Sequence, residues 1–367
     1  MTRILEKSYK TYLSHIESQQ VNLHTYEAMI DKEVFNLYEI EGPDLEQILR
    51  EQGTPAGYFP VVEGFELIPD DMLPESKEYI KNLPRKNLTP DELNTLGERL
   101  IELYRNGKTI EDIAVELEIN PVSVAAMRAE LDEINHKDLK HELENLLTYF
   151  IIEQLKKDQD GIIPLSEDAP EMTMDRRIVE DIEQMFGENK VAEVLNEMKH
   201  ILGRDLEGWL SGEFFKKHIS QYKKRPIVWH LCSPESYFEV FVYYHKLNNQ
   251  TLHILKNVYL SKAIDYNRRK LKEIEASLPD ASEKMKKRLY EEMIVREKSL
   301  DDLKEFEIGI DQVLKLVFDP VIDDGVLANI SPFQEAEVLV LDVLNKNQLQ
   351  KGKELLAEYI AERQGKK

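Results

Sequence analysis

Apolar residues recur at three- and four-residue intervals through most of this 367-residue chain, a period that commits it to α-helix almost throughout. Leu5, Tyr9, Tyr12, Leu13 and Ile16, then Leu23, Tyr26, Ile30 and Leu37, place one long helix over about the first 40 residues, with one apolar face. Ile178, Ile182, Val191, Val194, Leu195 and Met198 repeat the pattern between Met174 and Leu202. Period two surfaces in one place only. Pro226–Cys232 and Tyr237–Tyr244 are rich in β-branched and aromatic residues and flank Ser233-Pro234-Glu235-Ser236, which reads as a β-hairpin over 226–245.

The expected fold is therefore mainly α, multi-helical, with a small antiparallel β-hairpin, a helix-turn-helix-like module and a long antiparallel helical hairpin. Prolines and glycines crowd 41–87 and make it an irregular connector after the first helix, so 1–87 forms the first segment. The module occupies 88–135. A helical domain with the β-hairpin follows over 136–250, broken around Asp160–Pro164. Residues 251–307 form the helical hairpin, and 308–367 a C-terminal segment. In the hairpin, helices Thr251–Leu278 and Ser282–Phe306 meet at Pro279-Asp280, with capping-box spacing between Asp280 and Glu283. Leu271, Ile274 and Leu278 face Met285, Leu289 and Met293 as its seam.

The single cysteine, Cys232, forms no internal disulfide, and no Cys/His pair has zinc-ligand spacing. Without a signal peptide or an apolar run of about 18 residues, the expected setting is the cytoplasm, away from membranes. The formal charge of −22 opposes nucleic acid over the chain as a whole. From Glu213 to Lys272, however, twelve Lys/Arg stand against four acids. Lys216-Lys217-His218 and Lys223-Lys224-Arg225 lie there, interleaved with Phe214, Phe215, Tyr222 and Trp229, and Arg268-Arg269-Lys270 follow. Such clusters neutralise phosphates; the plain alternative is a solvated rim that balances an acidic molecule.

The module offers a second DNA candidate. Leu96–Tyr104, Thr109–Leu117 and Pro121–Leu131 read as three helices with tight turns, Ile110, Ile113, Ala114, Leu117, Ile119 and Val124 packing inward. Its recognition helix presents Asn120, Ser123 and Arg128 for base or phosphate contact, amid acids that include Glu111, Asp112, Asp132 and Glu133. Packing or protein contact is the competing use. The helical hairpin likewise serves as a spacer, or turns Arg268, Arg269, Lys272, Lys286, Lys287 and Arg288 toward DNA.

Catalytic signatures are missing from the sequence: no P-loop, dinucleotide fingerprint, HExxH or Gly-x-Ser-x-Gly occurs, and no metal site is expected. Adenine methylation needs a glycine-bearing S-adenosylmethionine loop and an Asn/Asp-Pro-Pro-Tyr/Phe loop for the flipped base. The nearest string, Asn120-Pro121-Val122-Ser123, lacks the second proline and the aromatic ring.

Three blocks carry a family resemblance. Asp31-Lys-Glu-Val-Phe-Asn-Leu-Tyr-Glu-Ile40 is one. Phe214-Phe-Lys-Lys-His-Ile-Ser-Gln-Tyr-Lys-Lys-Arg-Pro-Ile-Val-Trp-His-Leu231, with Phe241-Val-Tyr-Tyr-His-Lys246 downstream, is the second. Phe318-Asp-Pro-Val-Ile-Asp-Asp-Gly-Val-Leu-Ala-Asn-Ile-Ser-Pro-Phe-Gln334 is the third. In order and spacing they resemble the region that follows the catalytic domain in BREX-type, PglX-like and type IIG adenine-specific DNA methyltransferases, over about two thirds of the chain. Departures are the absent catalytic domain, the module standing where a longer target-recognition segment is usual, and Leu327 at a position often basic in the family.

The resemblance implies a non-catalytic DNA-binding or specificity component of a BREX-like or restriction-modification phage-defence system. Its partners would be double-stranded DNA and a separate adenine-specific methyltransferase subunit or other defence proteins. That subunit would hold S-adenosylmethionine; no cofactor is expected in this chain. His230 and His245 read as structural residues of the β-hairpin. The other reading is an interaction scaffold of a defence complex that does not bind DNA. An enzyme of unrelated class has no motif behind it.

Overall fold

The structure is a computed structural model that describes residues 3–130, 136–166, 171–316, 319–320 and 322–365. Leu131, Asp132 and Glu133 at the end of the helix-turn-helix-like module, and Phe318 and Val321 of the third block, lie outside the described residues. The protein is mainly α, with two compact units, Met1–Leu139 and Lys140–Lys367. Among the described residues no helix is long and apolar enough to cross a membrane.

The first unit opens with α1 (Ile4–Leu37), one continuous helix. Its buried side is not the stripe its larger apolar residues mark. Leu5 and Tyr9 are buried, but along the rest of the helix Glu17, Val21, His24, Thr25 and Ala28 face inward. Leu23, Ile30 and Leu37 are exposed. The small inward residues let the chain at Gly57 sit directly on α1: a Cβ there would come within 2.4 Å of the His24 carbonyl oxygen.

After α2 (Gly42–Gln52), the stretch read as a connector joins the core. β1 (Val61–Val62) pairs in parallel with β2 (Arg85–Lys86), and α3 (Pro74–Lys81) lies between them in sequence. Val61, Val62, Met72 and Ile80 share one apolar cluster with Leu100, Ile113, Ile119 and Val122. The latter belong to α4 (Pro90–Arg105), α5 (Ile110–Leu117), the turn after it, and α6 (Pro121–Glu130). Thr89 with Glu92, and Thr109 with Asp112, form capping boxes that start α4 and α5. Glu118, at φ 51°, makes the left-handed turn that aims α6.

The second unit holds most of α7 (His136–Lys157), then α8 (Met174–Phe186), α9 (Val191–Leu202), α10 (Leu206–Trp209) and α11 (Phe215–Gln221) around a three-stranded sheet. The β-hairpin pairs β4 (Val228–Cys232) with β5 (Glu239–Tyr243) in antiparallel register, His230 opposite Phe241. Its other neighbour is a strand the sequence concealed. Ile162–Pro164, read as a break, is β3, and pairs with Val240–Val242 of β5. Three buried residues are too few to show a period of two. The free edge of β4 is covered as well: Cys232 N donates to Val338 O and Val340 N to His230 O, both at 3.0–3.1 Å.

The helical hairpin is α12 (Thr251–Ile254), a π-helical stretch Leu255–Leu260 and α13 (Ser261–Ser277), returned by α14 (Glu283–Lys315). α14 runs nine residues past Phe306 because Ile310 and Val313 continue its buried face. The expected capping box is not formed; Ser282 occupies the N-cap without a side-chain bond. Ile274 is buried in the seam, whereas Met285 faces solvent. α15 (Val326–Glu335) and α16 (Lys346–Gly365) close the unit over a core that includes Trp229, Phe238, Phe306 and Phe333.

Candidate nucleic-acid interface

The ten residues picked out for DNA contact fall into three places. Asn120, Ser123 and Arg128 lie in the first unit and are turned inward. Asn120 caps α6, its Oδ1 accepting from Val122 N at 3.1 Å, while Nδ2 donates to Gly57 O and Phe59 O, both at 3.2 Å. Ser123 is fully buried, its Oγ accepting from Val62 N at 2.8 Å. Arg128 pairs with Glu17 and packs over the Tyr104 ring, 4.1 Å from its centroid. All three satisfy backbone groups or a charge that burial would otherwise strand, Asn120 and Ser123 being buried and Arg128 half-buried. Burial raises the Glu17 carboxyl above its ordinary range although Arg128 pulls it down.

Arg268 and Arg269 stand on α13. Both are exposed, Arg268 3.7 Å from Asp265 and Arg269 near the Tyr266 ring.

The remaining five cluster on α11 and the turn after it. Asp205 caps α10 through Gly208 N at 3.1 Å, and the helix widens into a π-turn at Leu210–Phe214 before continuing as α11. Phe214, Phe215 and His218 face inward. Phe214 packs against Trp209, Phe241 and His218, with ring centroids 5.0–5.8 Å apart, and Phe215 meets His230 edge-on. Lys216 is on the opposite side and exposed. Lys217 is occupied, held 3.0 Å from Glu144 and 3.3 Å from Asn145 Oδ1.

His218 locks the turn. Its Nε2 accepts from both Ile227 N (3.2 Å) and Val228 N (3.1 Å), which places the ring proton on Nδ1. Desolvation pushes its pKa down to about 4, so the ring is a neutral acceptor at ordinary pH. Between these anchors Lys223 and Lys224 adopt φ of 50° and 64°, consecutive left-handed residues held by Lys224 N donating to Ile219 O at 2.8 Å. Non-glycine residues take that conformation only where the surroundings impose it. Lys223, Lys224 and Arg225 are exposed. None of Lys216, Lys223, Lys224 and Arg225 is ion-paired among the described residues, whereas Lys217 and Arg204 beside them are.

Three of the four aromatic residues interleaved with these cations are closed to base stacking. Phe214, Phe215 and Trp229 are buried, and Tyr222 lies against His218 at 4.5 Å. Trp229 donates from Nε1 to Pro226 O at 3.0 Å, fixing the exit of the turn. His230 bonds Glu239 at 2.9 Å inside the sheet, and His245 sits exposed beyond β5, beside Tyr243. The Cys232 thiol is buried and pushed up to about 12. Among the described residues no group of three His, Cys, Asp or Glu side chains is placed to hold a metal ion.

Sequence reading missed the clamp role of His218 and the pairing of Lys217. The first has a visible signal, since His218 lies four residues after Phe214 and shares its helical face. The second has none, because Glu144 is 73 residues away in sequence.

No family model matches the chain. It is 28% identical over 184 residues to an adenine-specific methyltransferase, PglX, of Lacticaseibacillus casei (strain Zhang), covering 47% of this chain and 15% of that protein. It is 27% identical over 191 residues to an adenine-specific methyltransferase, BrxX, of Escherichia coli O9:H4 (strain HS), covering 48% of this chain and 16% of that one. The chain thus spans less than a fifth of the length of the curated relatives it matches, and the similarity takes in about half of the chain rather than two thirds. Over that half, this protein is similar to PglX-like adenine-specific methyltransferases.

Proposed function

We propose that this chain is a non-catalytic DNA-positioning component of a BREX-like or restriction-modification defence system. It grips the backbone of double-stranded DNA while a separate adenine-specific methyltransferase subunit supplies S-adenosylmethionine and the base pocket. The observation that carries this reading is the pinned turn: Lys216, Lys223, Lys224 and Arg225 are exposed and unpaired among the described residues, on backbone fixed by His218. Rigid, uncompensated cations favour phosphate, and with Phe214, Phe215 and Trp229 buried the contact is through the backbone rather than the bases. Similarity to adenine-specific methyltransferases supplies the setting.

The test is binding to duplex DNA across a salt series, comparing wild type with Lys216, Lys223, Lys224 and Arg225 all changed to Glu. Four phosphate contacts give a slope of log affinity against log salt of about −3.6, or roughly a hundredfold loss between 50 and 200 mM. The variant should lose that dependence. Wild type that leaves DNA unbound at low salt rejects the proposal and favours the scaffold reading. That alternative has an observation of its own, the inward-turned Asn120, Ser123 and Arg128, which leave α6 without its expected reading residues.

A further inference from the structure

Tyr259 stands in the π-helical stretch Leu255–Leu260 and is buried against the end of α7 and the start of β3. Four oxygens gather around its hydroxyl. Ile162 O is 2.9 Å away, Glu171 Oε1 3.0 Å, and both carboxyl oxygens of Asp160 3.3 Å. A phenol has one proton to give. The Ile162 carbonyl can only accept and is the nearest, so donation there leaves two carboxyl groups facing the lone pairs of the phenol oxygen. An ionised carboxylate in that position repels the phenol oxygen, whereas a carboxylic acid donates to it.

The balance of charge points the same way. Asp158 accepts from Asp160 N at 3.2 Å and Gly161 N at 3.0 Å, and pairs with Arg177 at 3.1 Å. Arg177 also reaches Glu171, at 3.3 Å. Lys246 is the second cation, its Nζ donating to the carbonyls of Lys156 and Asp158. Among the described residues, three carboxyl groups on the α7–β3 turn and before α8 therefore meet two cations, one from α8 and one from the turn after β5. Burial raises Asp160 and Glu171 above the ordinary carboxylate range, and Asp158 adds to the rise. It also raises the Tyr259 phenol, which keeps its proton.

We infer that Asp160 and Glu171 share one bound proton around Tyr259 at neutral pH, a proton-linked latch between the α7–β3 turn and the base of the helical hairpin. The proton supplies the missing positive charge and the missing donor together. Because the folded chain binds it more tightly than the unfolded chain does, the latch is complete below the ordinary carboxylate range and weakens as pH rises through the folded-state titration. Its sense is opposite to that of His218, which loses stability as pH falls. This inference is independent of DNA binding.

The test has two readouts on the full chain. The first is the infrared carbonyl stretch of a carboxylic acid at neutral pH, where the ionised majority of the 70 acids does not absorb. Wild type should show such a band, and Glu171→Gln and Asp160→Asn should each remove it, because with either carboxylate gone the two cations balance the remaining two. The second is denaturant unfolding as a function of pH. The unfolding constant of wild type should rise with pH relative to that of either variant, by up to about tenfold per pH unit for one proton, with His218 cancelling in the comparison. Spectra that are alike in all three proteins, or pH slopes that do not differ, would each overturn the inference and leave Asp160 and Glu171 as ordinary ionised neighbours of Arg177.

Discussion

The two candidate DNA faces, α6 in the first unit and the turn after α11 in the second, treat polar residues in opposite ways. Residues 1–139 contain 28 acids and 14 bases, and 140–367 contain 42 and 34. In the first, the polar residues of the would-be recognition helix are turned inward to satisfy backbone groups of the 57–62 segment and the charge of Glu17. In the second, aromatic rings and His218 fill the interior and drive the cations outward. Residue type alone therefore says little about a binding face. What decides is whether a nearby buried donor, acceptor or charge demands that side chain.

The largest effect expected concerns the clamp of the second unit. The folded pKa of His218, about 4, lies below its ordinary value of 6.5, so the unfolded chain takes up the proton first as pH falls. Stability contributed by the neutral ring is complete above about 6.5 and declines toward pH 4, by up to about 3 kcal/mol. Denaturant melts of wild type and His218→Gln across that window should differ in this slope. Identical slopes would remove the clamp from the comparison.

Next comes the fourfold charge reversal on α11 and its turn, which should abolish the roughly hundredfold fall in DNA affinity that wild type shows between 50 and 200 mM salt, with the melting temperature unchanged. The first unit should respond in the reverse sense. Asn120→Ala strands the Gly57 and Phe59 carbonyls and uncaps α6, costing about 2 kcal/mol of stability while leaving DNA affinity alone. A drop in affinity with intact stability would return α6 to the binding face. The smallest effect is Lys217→Ala, below about 1 kcal/mol for a partly exposed pair, with no change in salt slope. A reduced slope would show that Lys217 leaves Glu144 for phosphate.

Much of the fold was legible because helical periodicity is local. α1, the three helices after Thr89 and the β4–β5 hairpin all follow from spacing and turn residues within one window. β3 was not legible: Ile162–Pro164 is strand only because β5 offers it an edge. Nor was the connector's place in the core, since Val61, Val62 and Met72 gain their burial from α4–α6. Of the site, the cationic cluster was visible in the sequence. Which lysine would be neutralised was not, because Glu144 reaches Lys217 through packing of α7 against α11.

By itself the sequence determined the helical character, the β-hairpin, the basic run and the resemblance to adenine-specific methyltransferases, all of which rest on order along the chain. Tertiary structure decided which face of α1 was buried, which polar residues of α6 became internal braces, and which four cations stayed free of partners among the described residues. The physical reason is that period and propensity act over one or two turns, whereas burial and charge pairing depend on neighbours that only the folded chain assembles.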